Sequence, residues 1–277
     1  MVGLSRDPER ARGANPTVSW HAWNPMAERP PVSALEGVDA VVNLIGEPID
    51  QRWTEDAKQR IRASRERSTK NLVDGLSAAD PRPGKLVSQS AVGYYGDRGD
   101  AIVDESVLPG TSFDAGVCAT WEASAQAAGD IGMRVVLTRT GLVLDPRAGL
   151  LKQLLLPFRL GLGGPIAGGR QYMPWIHVDD WVRLVLWALD GDDRTGPYNA
   201  TAPNPVTNAE LSKTLGRVLG RPAVMPIPKA AMKLRFGNEL GEVVAGGQRA
   251  VPRRALDAGF AFTHPDLEPA LRNLLGR

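Results

Sequence analysis

Ser90, Tyr94 and Tyr95 close an apolar run, KLVSQSAVGYYG at residues 85–96. A strand that ends in small polar residues is where parallel α/β folds gather their ligands. A hydroxyl at Ser90 could hold a substrate hydroxyl or carbonyl, or it could only satisfy loop amides. Tyr94 or Tyr95 could donate a phenolic proton, or could simply pack. Further on, Cys118-Ala-Thr-Trp-Glu122 lies in a helical stretch. A spacing of four puts Cys118 and Glu122 on one face. A thiol is a nucleophile only beside an activating base or cation. Its sequence neighbours offer neither, so Cys118 reads as a buried small residue.

A third group lies at the start of the chain. The residues MVGLSRDPERA resemble a strand followed by a turn, with Ser5 and Arg6 just past its tip. In a dinucleotide fold an arginine there pairs with the 2′-phosphate of NADP, where an acidic residue would hold the free hydroxyl of NAD. His21, His177 and His264 are too dispersed to announce a metal site by spacing.

These residues need a scaffold, and its pattern is strands alternating with amphipathic helices, the mark of a parallel sheet. Residues 38–45 (VDAVVNLI) form a nearly continuous apolar run, as a buried parallel strand does. Residues 54–77 read as a charged helix, 85–93 as a second strand, 112–128 as a helix and 133–144 as a third strand. An apolar helix over 150–160 precedes the loop GLGGPIAGG (161–169), which neither helix nor strand accommodates. Residues 172–178 read as a short strand, and Asp179 as the N-cap of a helix to 189. Thr207-Asn-Ala-Glu210 fits a capping box. Beyond Pro222 the chain is a proline-punctuated helical tail. We divide it into a nucleotide-binding domain at 1–221, with substrate-pocket insertions around 145–180, and a small domain at 222–277.

Composition narrows the classes. With 33 basic and 31 acidic residues the net charge is +2. That balance makes no electrostatic case for nucleic acid or an anionic membrane. One cysteine excludes internal disulfides and cysteine-rich zinc sites, and fits a reducing, cytoplasmic setting. No apolar run is long enough to span a bilayer, and the N-terminus carries no signal-peptide core.

One element is conspicuous by its absence. Dinucleotide sites of this type open with a strand, a glycine-rich turn and a helix, so that backbone amides meet the pyrophosphate. No GxGxxG or GxxGxxG precedes residue 38, and the glycines at 161–169 follow a helix without opening another.

The runs SQSAVGYYG (88–96), CATWEASA (118–125), RTGLVL (139–144) and LLPFRLGLGGPIAGGRQYMPWIHVDD (155–180) together resemble one group. It is the sugar-nucleotide-epimerase-like, atypical branch of the short-chain dehydrogenase/reductase superfamily. Residues 239–275 are similar to that family's small C-terminal domain of unknown function. The resemblance implies a Rossmann-type, doubly wound parallel sheet with a small, mostly helical substrate-side domain. It implies NADP(H), with NAD less favoured, and a small or nucleotide-linked substrate. It also implies a first strand and glycine-rich turn that this chain lacks, a βα unit of roughly 30 residues. A mis-assigned start or a truncated gene would account for that. The absent strand would lie in mid-sheet, so its loss should leave two unpaired edges and an open core.

The resemblance also assigns positions. Ser90 matches the superfamily's catalytic serine, and Tyr95 is a candidate for its proton donor. The superfamily's Tyr-x-x-x-Lys pair falls on Cys118 and Glu122; a carboxylate raises a neighbour's pKa where an ammonium lowers it. On the cofactor side stand Ser5, Arg6, Asn43, Leu44, Ile45, Gly46 and Arg65, with Gly141 and Val143 beside the nicotinamide. The substrate wall is Arg159, Gln171, Tyr172, Trp175 and His177, with no metal. Two readings follow: an NADP(H)-dependent epimerase or oxidoreductase, or a non-catalytic NADP(H) sensor. A non-functional fragment is a third.

Overall fold

The computed structural model describes residues 1–277. The chain opens with β1 (Val2–Ser5), α1 (Pro8–Ala14) and β2 (Ser19–Ala22), then β3 (Ala40–Asn43) and the long α2 (Glu55–Ser77). Next come β4 (Lys85–Ala91), β5 (Ile102–Val103), α3 (Phe113–Asp130), β6 (Arg134–Thr140), β7 (Leu142–Leu144) and α4 (Gly149–Arg159). They are followed by β8 (Tyr172–Met173), β9 (Trp175–His177), α5 (Val178–Asp190), β10 (Gly196–Ala200), β11 (Val206–Thr207) and α6 (Asn208–Leu219). The chain closes with α7 (Lys229–Phe236), α8 (Asn238–Ala245), β12 (Arg249–Ala250), α9 (Arg253–Asp257) and α10 (Leu267–Leu275).

The central sheet is parallel, in the order β10-β6-β4-β3. Its β6, RVVLTRT, is buried along almost its whole length because helices cover both faces. On one face α2 and α3 pack Leu72, Leu76, Ala125 and Ala128 against Leu86, Val135 and Leu137. On the other, α5 and the C-terminal segment pack Leu184, Ala188 and Phe260 against Val87, Val136 and Tyr198. A further core joins α4, α6 and α10.

β1 and β2 form a separate, two-stranded parallel sheet. No strand bridges β1 and β3, so the sheet is interrupted where the sequence reading places its missing strand. The two pieces share one core all the same: Leu4 of β1 and Val41 of β3 both pack on the cluster around Trp23, Leu35 and Leu72.

Three sequence expectations need correction. The strand expected over 133–144 is two strands, broken at Gly141. A Cβ there would stand 2.1 Å from the Pro174 carbonyl oxygen, so the close approach admits only glycine. β7 leaves the central sheet and pairs with β9. The strand expected over 172–178 is likewise divided, by Pro174, which cannot donate to a ladder. The helix after it is capped by His177 rather than Asp179: the His177 Nδ1 accepts the Asp179 amide at 3.0 Å. The capping box of Thr207 and Glu210 is present as read.

Candidate functional site

The C-terminal end of β3 is held by a buried polar knot. Asn43 donates to Thr69 Oγ1 (3.1 Å) and Ser88 Oγ (3.2 Å), and its Oδ1 accepts the Ile45 amide (3.3 Å). Trp121 of α3 donates to the same Thr69 hydroxyl (3.2 Å). This fixes the path of the chain into Leu44, which is exposed, and Ile45, which packs on the core. At Gly46 the missing side chain makes room for Arg65, whose guanidinium lies 3.1 Å from where a Cβ would stand.

Arg65 Nη1 donates to the carbonyls of Glu47 (3.0 Å) and Ile61 (3.1 Å), and the guanidinium lies 5.0 Å from the Trp121 ring. Its Nε and Nη2 have no partner in the chain, and no carboxylate pairs with it. Burial lowers its pKa below the usual arginine value. A partly desolvated cation with two donors free is an arrangement that accepts an anion. Beyond β1, Arg6 is exposed and unpaired, while Ser5 Oγ accepts the Asp7 amide (3.1 Å) and orders the turn into α1.

Ser90 and Tyr95 meet through two residues that the sequence reading did not single out in that role. Ser90 donates to Glu122 Oε1 (2.6 Å). Arg139 of β6 clamps both Glu122 oxygens at 2.8 Å, and donates to the Tyr95 hydroxyl at 3.1 Å. Tyr95 donates to Asn199 Oδ1 (2.7 Å), and the Asn199 amide donates to Glu105 (2.9 Å). The Tyr94 ring covers the guanidinium, its centroid 3.5 Å away. Ser90 and Tyr95 are both 0% exposed, so neither hydroxyl reaches a cavity. Burial pushes the Tyr95 phenol up to about 12, against the opposing pull of Arg139. One sequence signal could have found this network: Arg139 is a charge in the middle of an otherwise buried parallel strand, where charges are almost always paired.

Cys118 is buried, and burial together with Asp114 and Glu122 pushes its thiol up to about 12. It is a neutral, shielded thiol, in line with its reading from sequence.

The residues expected to form one substrate wall line neither of the two main clefts. Trp175 and His177 are buried, because β9 runs through the core and not along a rim. The indole of Trp175 donates to the Asn204 carbonyl (3.2 Å). Gln171 donates to the Ile166 carbonyl (3.0 Å), Tyr172 lies 5.0 Å from the Arg249 guanidinium, and Arg159 is exposed at the end of α4. A cleft of about 310 Å³ does open beside Val143, lined also by Gln89, Asp145, Gly149, Val178 and Trp181. A second, of about 340 Å³, lies between Arg52–Thr54 and the α7–α8 hairpin. Gly141 instead packs on the Pro174 carbonyl.

Histidines far apart in sequence come together: the rings of His177 and His264 stack with centroids 3.8 Å apart, near Asp179. The Nδ1 lone pair of His177 is taken by the Asp179 amide, and its Nε2 faces Asn273 Oδ1 at 3.1 Å. With both nitrogens engaged, His177 offers no ligand atom to a metal.

Comparison with known proteins places this architecture. Residues 2–201 match the NAD dependent epimerase/dehydratase family, and residues 227–274 match a domain of unknown function, DUF1731. An epimerase family protein of Mycobacterium tuberculosis, MT2273, is 42% identical over 250 residues, covering 90% of this chain and 82% of that protein. The crystal structure of the human epimerase family protein SDR39U1 with NADPH superposes with a TM-score of 0.89 at 34% identity, over 99% of this chain and 90% of that one. MoeE5 in complex with UDP-glucose and NAD shares the fold, with a TM-score of 0.77 at 21% identity over 99% of this chain and 89% of that one. The Rossmann-type sheet, the helical C-terminal segment and these matches agree, and the chain belongs to the NAD-dependent epimerase/dehydratase family, in the group with a C-terminal DUF1731 domain.

Proposed function

We propose that this protein binds NADP(H) across the ends of β1 and β3 and acts on a small or nucleotide-linked substrate without a Tyr/Lys pair. The observation that carries this is Arg65, partly buried, with two free donors and no ion pair to a carboxylate. Arg6, unpaired beyond β1, is our candidate for the 2′-phosphate, beside Ser5. Asn43, Leu44, Ile45 and Gly46 form the adenine and ribose side, and Val143, with Gly141 behind it, borders the nicotinamide. The human relative carries NADPH and the more distant MoeE5 carries NAD; the unpaired arginine after β1 is why we favour NADP(H).

The residues present fit half of such a molecule. With no strand between β1 and β3, no glycine-rich turn supplies amides to the pyrophosphate. A nicotinamide, when bound, supplies hydride transfer. Ser90 and Tyr95 are our candidates for handling the proton, each giving up its own hydrogen bond, to Glu122 or to Asn199, in order to donate to a substrate, while Arg139 stays charged and only positions them. Gln171, Tyr172 and Arg159 remain candidates for the substrate side. The single buried thiol suits a reducing, cytoplasmic location.

Thermal-shift titration tests the cofactor assignment. NADPH should stabilise the protein more than NADH, and Arg6→Ala should erase that difference; a preference unchanged in Arg6→Ala would move the 2′-phosphate elsewhere. Incubation with NADPH and a panel of carbonyl compounds and sugar nucleotides, with product analysis, separates an enzyme from a cofactor sensor. Product from any of them, lost in Ser90→Ala, supports the enzyme reading.

A further inference from the structure

The near-neutral charge of the whole chain conceals a strong segregation. Residues 146–178 carry four lysines and arginines and no carboxylate, and residues 211–238 carry six and none; Arg147, Arg217, Lys229 and Lys233 pair with carboxylates from outside these segments, and the others do not. The fold lays these two segments together. α4 packs on α6 in a common core. The Met225 amide donates to the Gly163 carbonyl (3.1 Å), Ile166 pairs with Ile227, and Pro222 lies 3.6 Å from where a Cβ of Gly161 would stand.

Along this seam aliphatic side chains stand in water. Leu156 on α4, Leu160 and Leu162 just past its end, and Val224 and Met225 in the facing loop are between 51% and 75% exposed. Single exposed aliphatics are ordinary, but five on one seam are not. Side chains this exposed protrude; they do not line a groove. Lys152, Arg159 and Arg221 flank them, all exposed and none in an ion pair or side-chain hydrogen bond.

We infer that this face docks on an anionic lipid surface, with the five aliphatic side chains reaching into the interface and Lys152, Arg159 and Arg221 meeting the headgroups. Protruding aliphatics ringed by cations is the pattern of interfacial binding. A second copy of the chain is a poor occupant, because a two-fold contact would set cation against cation. No helix is long and apolar enough to cross a membrane, so the contact is peripheral. The face shares Arg159 with the substrate-side candidates and nothing with the nucleotide residues, so its tests rest on Lys152, Arg221, Leu160 and Val224, which belong to neither.

Flotation with vesicles tests it. The full chain should float with phosphatidylglycerol/phosphatidylcholine vesicles and not with pure phosphatidylcholine. Lys152→Glu and Arg221→Glu should each weaken binding by about fivefold or more. Leu160→Ser with Val224→Ser should abolish it while the melting temperature stays unchanged, since both side chains are mostly in solvent. No flotation with anionic vesicles at low salt would overturn the proposal. Binding to soluble polyglutamate as tight as to the vesicles, and indifferent to the serine replacements, would overturn it in favour of an acidic macromolecule. A dimer that dissociates in the serine variant would overturn it in favour of a second copy.

Discussion

Glu122 and Arg139 face each other with about 95% of each side chain out of water. Removing one partner of such a pair leaves a buried charge alone, a cost of about 3–5 kcal/mol. Urea unfolding should therefore show Glu122→Ala and Arg139→Ala each losing stability on that scale, with Glu122→Leu/Arg139→Met losing less than either. Equal, small losses would mean that the pair is solvated in the folded protein. His177 gives a prediction in pH. Its pKa is lowered by burial and by the stacked His264. Between its folded value and the ordinary 6.5, the unfolded chain binds a proton that the folded chain refuses, so stability falls as pH drops below about 6.5. His177→Asn keeps an acceptor for the Asp179 amide but cannot titrate. Its melting temperature should change less than the wild type's between pH 7 and 5.5; parallel curves would assign the titration to another group.

At the scale of elements, Gly141 and the divided sheet make separate demands. Gly141→Ala puts a methyl group 2.1 Å from the carbonyl oxygen of Pro174, which leads into β9, so β7 and β9 must part. We expect a loss above about 2 kcal/mol, or insoluble protein; a variant that melts like the wild type would disprove this contact. The β1–β2 pair is two strands held only by its side of the core, and such pairs are marginal alone. Its amides should exchange with deuterium at least ~10-fold faster than those of β4 and β6. Sequence showed these elements well wherever one residue type decided. The unbroken apolar runs gave the parallel strands, and Thr207 with Glu210 gave a helix start. The breaks at Gly141 and Pro174 were hidden because they depend on which strand lies alongside, a tertiary fact. The histidine cap was missed for a related reason: Asp179 has the better local preference, but the His177 ring is held in place by Asn273 and His264 from the far end of the chain.

For the molecule as a whole, the family and its sheet were legible in a few specific runs, and so was the place where the sheet is divided. The candidate site was less so. Arg65 was visible as a helix cation, but its lack of a carboxylate partner was not. Trp175 and His177 have the types of pocket residues, yet their strand passes through the core. The joining of Ser90 to Tyr95 depends on Arg139, which only the fold brings between them. The central claim is the proposal that an NADP(H) 2′-phosphate lies at the ends of β1 and β3, beside a gap in the sheet that a glycine-rich strand and turn would fill. Calorimetric titration of NADPH and NADH tests it most directly, on the 277-residue chain and on a fusion carrying a strand, glycine-rich turn and helix ahead of Met1. The account predicts weak binding to the chain alone, and binding to the fusion that is at least ~10-fold tighter and favours NADPH. A fusion that binds neither nucleotide, or both equally, would contradict it.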